Sequence, residues 1–188
     1  MIQSKKDYKE YYYHDLKQTG LLDVKWYNRF SDRRFKFYKL LRYTEYYNNC
    51  KNKWYHKIPK KIINMRYLHL CDKYQWTIPI NVFDKGLAIV HVGTIVVSGD
   101  AKIGKNCRIH VCTNIGRAPS KSGVGAPKIG DNVYIGPGAK LFGDITIPDN
   151  CVIGANAVVN ESIKESCTVA GVPAKKISNK TSETYIKS

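Results

Sequence analysis

VSGDAKIGKNCRIHVCTNIG (97–116) and KIGDNVYIGPGAKLFGDITIPDNCVIGANAVVNESIK (128–164) place an aliphatic residue at every sixth position. Val97, Ile103, Ile109 and Ile115 form one series, and Ile129, Ile135, Leu141, Ile147, Ile153 and Val159 form a second. Four residues after most of them stands a small or β-branched residue: Ala101, Cys107, Thr113, Val133, Ala139, Ile145, Cys151, Ala157 and Ile163. A helix repeats near 3.6 residues and a half-buried strand near 2, so a period of six fits neither. It fits a solenoid of short parallel strands, three to a coil, with the aliphatic side chains stacked inside. Ile-Gly pairs at 103–104, 115–116, 129–130, 135–136 and 153–154 suggest corners that exploit glycine's conformational freedom. The fold class is therefore mainly β, a parallel β-helix.

Outward from this core the chain changes character. Residues 1–76 hold 18 Lys/Arg against 7 Asp/Glu and 12 of the 14 tyrosines, while residues 77–188 hold 13 Lys/Arg against 8 acids, within a net charge of +16. The first segment lacks Gly and Pro apart from Gly20 and Pro59 and reads as helical. Phe35, Tyr38, Leu41 and Tyr46 recur at helical spacing between residues 30 and 47, with Asp23 or Ser31 as candidate caps. The KIPKK cluster (57–61) interrupts the pattern before a further helix around 62–74. The expected organisation is a basic, tyrosine-rich helical segment over 1–76, the solenoid over 77–177, and a mobile polar tail over 178–188. Residues 117–128, RAPSKSGVGAPK, interrupt the hexads and read as an excursion loop.

No run of about 18 apolar residues occurs that could span a bilayer. The amino terminus is charged and lacks the apolar core of a secretory signal. Cys107 and Cys151 fall in the inward slots, and Cys50, Cys71, Cys112 and Cys167 show no metal spacing, so a reducing, cytoplasmic setting is expected. The basic balance by itself suggests an anionic partner, but no nucleic-acid motif accompanies it. Three readings of the first segment stay open: structural cover for the solenoid, attraction to the anionic inner membrane face, and a face for an acidic saccharide.

The hexads, followed by AGVPAKKI (170–177), resemble the left-handed β-helix acyltransferases. GLAIVHVGTIVVSGDAKIGKNCRIH (86–110) is similar to their serine acetyltransferase branch, and IPINVF (78–83) and LRYTEYY (41–47) to serine-acetyltransferase-like enzymes of capsular and exopolysaccharide loci. The resemblance implies a homotrimer, acetyl-CoA as co-substrate, and no metal; two solenoid histidines, His91 and His110, are too few for a three-histidine zinc site. It makes His91 the general base, although spacing alone places His91 in an aliphatic slot and favours a structural role. His110 is a corner residue, either solvent-facing or acceptor-binding, and Asn81 or Asp84 would orient His91. The CoA arm would lie on Pro137, Ala155 and Lys175, with Gly136, Gly154 and Gly171 allowing close approach and Lys176 adding charge near the phosphates.

Departures from the serine enzymes bear on the acceptor. Val90 stands where Asp commonly precedes the catalytic His. Gly125-Ala126 replace an Arg-His pair before Pro127-Lys128-Ile129, and the acidic partner upstream of His91 is missing from WTIPIN (76–81). Such a site would hold free serine's charges poorly. The expected activity is therefore O-acetylation of a cell-surface polysaccharide or its precursor, with a saccharide acceptor. Serine O-acetyltransferase and a non-catalytic binding or scaffold solenoid are the alternatives.

Overall fold

The structure is a computed structural model that describes residues 1–25, 27, 31–120 and 123–186. Phe30, at the start of the expected helical stretch, lies outside the described residues, as do 121–122 of the excursion and 187–188 of the tail. Among the described residues three α-helices come first: α1 (Lys5–Thr19), α2 (Arg33–Cys50) and α3 (Lys57–Tyr74). Ser4 caps α1 by accepting from the Asp7 N–H, and Gly20, at φ 71°, ends it in the left-handed conformation that glycine adopts cheaply. Asp32, rather than Ser31 or Asp23, caps α2. The KIPKK cluster does not break the chain. Pro59 lies in the first turn of α3, where a missing N–H costs no intrahelical bond.

Sixteen strands follow among the described residues, each of two to four residues. The solenoid's three sheets run in the orders β1-β3-β6-β11-β14, β16-β15-β13-β10-β5-β2 and β12-β9-β4, with all neighbours parallel except the final β15–β16 pair. Here β1 is Trp76–Thr77, β2 Ala88–Ile89, β3 Ile95–Val97, β4 Lys102–Ile103, β5 Arg108–Ile109 and β6 Thr113–Gly116. Further along are β9 (Lys128–Ile129), β10 (Tyr134–Ile135), β11 (Lys140–Phe142), β12 (Thr146–Ile147), β13 (Val152–Ile153), β14 (Val158–Val159), β15 (Thr168–Ala170) and β16 (Lys175–Ser178). Every aliphatic residue of the two series is buried, as are Cys107 and Cys151, and the described cysteines are all free.

Register shows where the coils are regular. Ile135 pairs with Ile153 and Leu141 with Val159, both 18 residues apart. Ile115 pairs with Leu141, 26 residues on, and the excess emerges as an antiparallel hairpin of β7 (Ala118–Ser120) and β8 (Gly123–Gly125). The excursion is thus a hairpin rather than an irregular loop. Its return is tight: a Cβ on Gly125 would stand 2.7 Å from Asp144 Cβ.

The corners are turned by asparagine, not by the glycines of the Ile-Gly pairs. Asn106, Asn132, Asn150 and Asn156 have φ between 55° and 59°, a region asparagine tolerates better than other residues with a Cβ. Asn106 Nδ2 donates to Asn132 Oδ1 at 2.9 Å and Asn132 Nδ2 to Asn150 Oδ1 at 3.1 Å, a ladder down one edge. The Ile-Gly glycines lack the left-handed φ and are small for a different reason. A Cβ on Gly130 would meet Asp149 N at 2.7 Å, and one on Gly136 would meet Ala155 N at 2.8 Å, so the next coil excludes it.

The helices close over the first coils, and one hydrophobic cluster runs from Leu16 through Phe37, Tyr38 and Trp76 to Val169. The contact is fixed by a buried cation. Arg42 is fully buried and donates from Nε and Nη2 to the two Asp15 carboxylate oxygens, at 2.7 and 3.1 Å. Its Nη1 reaches Glu45 Oε2 and the Phe83 carbonyl, both at 2.9 Å, and Nη2 the Asp84 carbonyl at 2.8 Å. All five guanidinium N–H bonds are thereby used. Asp15 Oδ1 also accepts the N–H groups of Gly86 and Leu87. Structural cover is therefore what the inner helix faces provide. The outer face of α3 leaves Ile58, Ile62, Met65 and Leu68 exposed. Among the described residues no helix is long and apolar enough to cross a membrane.

Candidate active site at the first corner

His91 does not occupy an inward slot. Ile89 pairs with Ile109, and Ile95 with Thr113, so the segment between these rungs is two residues longer in the first coil than in the second. Counting six back from Val97 therefore stops two residues short of the inward rung, Ile89. The extra length emerges as a bend at 91–93 that leaves His91 exposed. Both flanks of the bend are held by side chains, one from the helices and one from β1. Arg34 Nη1 donates to the Val90 carbonyl at 3.3 Å while its other side bonds Asp32, and Trp76 Nε1 donates to the Gly93 carbonyl at 2.9 Å. Gly93 has φ 154° and faces Val111, whose Cγ1 would lie 3.0 Å from a Cβ there.

Two of the residues expected to orient His91 are committed elsewhere. Asn81 exchanges side-chain hydrogen bonds with Asn49, and its N–H donates to Glu45 Oε1 at 2.8 Å. Asp84 Oδ1 accepts the Lys85 N–H, and its carboxyl is held below the usual carboxylate range, because hydrogen bonds from Tyr11 and Lys85 outweigh the opposing effect of burial. Both serve the joint between helices and solenoid. No described residue hydrogen-bonds the His91 ring. Its aromatic neighbour is His110, at 6.3 Å between centroids.

His110 is half-buried and its Nε2 is enclosed with no hydrogen-bond partner. Its pKa is lowered by burial first, then by the charges of Arg108 and His91. Its ring faces Tyr134 at 5.1 Å, and Tyr134 faces Tyr185 at 4.5 Å. Tyr185 comes from the tail, which is tied down rather than loose as far as residue 186. Ser182 is fully buried, its N–H donates to the Asn150 carbonyl at 3.0 Å, and its hydroxyl donates to the Asn132 carbonyl.

The expected cofactor residues share His91's corner. Two positions past the paired rungs Ile89, Ile135, Ile153 and Val169 stand His91, Pro137, Ala155 and Gly171, all exposed. At about 4.8 Å per coil, the row from His91 to Ala155 extends for roughly 14 Å. Gly136 and Gly154 lie one position inside it, beneath Val90 and His110, and their missing Cβ atoms serve coil stacking. Lys175 is exposed on β16 opposite Ala170; Lys176 is engaged with Glu165 at 2.5 Å. Sequence reasoning missed Arg34, Trp76, Arg108, Tyr134 and Tyr185. Only Arg108 carried a local signal, since residues two apart on a strand share a face and His110 is two positions on.

Residues 126–161 match the model described as bacterial transferase hexapeptide (six repeats). The chain is 36% identical over 93 residues to a serine acetyltransferase of Synechococcus elongatus, covering 50% of this chain and 38% of that protein. It is 41% identical over 87 residues to the serine acetyltransferase of Staphylococcus xylosus, covering 46% and 40%. It thus spans about two fifths of the length of these curated relatives. The crystal structure of a serine acetyltransferase from Brucella abortus strain S19 superposes with a TM-score of 0.70 at 25% identity, over 95% of this chain and 72% of that one. The architecture, an N-terminal helical region followed by a left-handed β-helix, is common to both. The chain thus carries the hexapeptide repeat of the bacterial transferases and, over about half its length, is similar to serine acetyltransferases.

Proposed function

We propose that the protein is an acetyl-CoA-dependent O-acetyltransferase whose general base is His91 and whose acceptor is free L-serine. The observation that carries this reading is the bend at 91–93, which lifts an imidazole out of the coil onto a corner shared with Pro137 and Ala155. The acceptor follows the serine acetyltransferases reported above rather than the saccharide expected from the missing charges.

Transfer needs a base, a held donor and stabilisation of charge on the thioester oxygen. A neutral imidazole accepts the hydroxyl proton as the oxygen attacks the thioester carbon. The carbon–sulfur bond then breaks, and the proton passes to the departing thiolate. The residues present suit the co-substrate: an exposed row of small side chains for a narrow arm, and Lys175 near its end for phosphate. A homotrimer is part of the same reading.

Release of CoA thiol from acetyl-CoA, with and without L-serine, tests this function. Serine-dependent release supports it. Release only with sugar hydroxyls would return the saccharide acceptor, and failure to bind CoA at all would leave a scaffold. A cytoplasmic protein with peripheral membrane contact is a second reading of location. It is favoured by exposed Trp54, Ile58, Ile62 and Met65 beside Lys53, Lys57 and Lys61. Absence of co-sedimentation with anionic liposomes at low salt would remove it.

A further inference from the structure

A pocket of about 320 Å³ lies beside His91, lined by Arg108, His110, Tyr134, Thr184, Tyr185 and Ile186. Each of its polar side chains carries an N–H or O–H able to donate. Arg108 and His110 project from the same face of β5 and its end. Tyr134 sits beside Arg108 on the next coil, where the two are register partners. Tyr185 arrives from the tail and sets its ring against Tyr134, tilted by 34° at 4.5 Å between centroids. No described carboxylate pairs with Arg108, and His110 Nε2 is enclosed without a partner. Burial, then the charges of Arg108 and His91, disfavour protonation of His110, while burial raises Tyr134. A guanidinium, an unpaired ring nitrogen and two phenols around one cavity lack only an anion.

We propose that this pocket seats a carboxylate of the acceptor, with Arg108 as the pairing cation and His110 Nε2 and the Tyr134 and Tyr185 hydroxyls as further donors. The assignment rests on the acetyl-transfer reading of the His91 corner. It also answers the loss of the Arg-His pair before Pro127: the positive charge is supplied from β5, across the corner from where it was sought. An arginine fork suits a planar carboxylate. By linkage, an anion here favours protonated His110. Carboxylate binding should therefore raise the pKa of His110 from its depressed value, and affinity should increase as pH falls toward 6. The groups facing His110 are Arg108 on its own strand, His91 from the bend, Tyr134 on β10 and Tyr185 from the tail.

The test follows the His110 imidazole by NMR in the full chain during titration with acetate, with inorganic phosphate and CoA as separate arms. Saturable shifts with acetate and a rise in the His110 pKa are expected. Arg108→Gln should weaken acetate binding at least tenfold while CoA affinity is kept, and Arg108→Lys should retain part of it. In turnover, Arg108→Gln should raise KM for L-serine with little change in kcat, and leave serine methyl ester unaffected. Absence of saturation with acetate, or equal binding by Arg108→Gln, overturns the proposal. A parallel loss of CoA affinity assigns the anion to the donor's phosphate and also overturns it. Acetate binding with no L-serine turnover by the unaltered protein upholds the pocket and removes serine as acceptor.

Discussion

The third and fourth coils and the first coil are built on the same plan and held by different means. From Ile129 to Val159 the register is 18 residues, the interior is stacked aliphatics, and the corners are stitched by asparagine. These coils are held by their neighbours. The first coil, Trp76 to Val97, has two extra residues at its corner, and its backbone is held by groups that do not belong to the solenoid. Arg42 takes the carbonyls of Phe83 and Asp84, Asp15 the amides of Gly86 and Leu87, the Tyr38 hydroxyl the amide of Ile89, and Arg34 the carbonyl of Val90. A repeat can thus carry an irregular, exposed side chain where an outside element supplies the hydrogen bonds a preceding coil would have made. The helical cover is thus the scaffold of the candidate site.

The largest expected effect tests that cover. Arg42→Met leaves Asp15 and Glu45 buried without their cation and frees two solenoid carbonyls, and should cost about 3–5 kcal/mol in urea denaturation. A loss under about 1 kcal/mol would mean the first coil holds itself. The matching change in the regular coils is Gly130→Ala. It forces a Cβ against the Asp149 backbone, cannot relax by a rotamer change, and should cost about 1–3 kcal/mol, with the His91 corner intact. If Gly130→Ala instead proved neutral, coil stacking would be looser than the distances imply. Arg34→Met is smaller and sharper. It removes one hydrogen bond to the bend, should leave the melting temperature within a few degrees, and should lower kcat about tenfold through misplacement of His91. An equal loss of kcat and stability would make Arg34 merely structural.

The inward rows were legible because the alternation of buried and exposed residues along a short strand is local, and six residues suffice to repeat it. The position of His91 was not legible by the same count, since an insertion between Ile89 and Ile95 shifts the register without leaving a Gly/Pro-rich mark like that of the hairpin. The asparagine corners were overlooked because glycine is the usual suspect for positive φ, while Asn106, Asn132 and Asn150 stand 26 and 18 residues apart and declare themselves only once the coils are aligned. Asn81 and Asp84 were near His91 in sequence and far from it in role, because the helices claim them. Arg108 was passed over for a related reason. Positions 125–126 hold Gly and Ala, and no local pattern says that a charge stands on another strand instead.

The central claim is that the irregular first corner exists to present His91 as a base. It is tested most directly by His91→Asn, with acetyl transfer to L-serine and CoA binding measured on the same preparation. The account predicts a fall in kcat of about 10²–10⁴-fold, with CoA affinity and melting temperature unchanged. Transfer retained within a few-fold would contradict it.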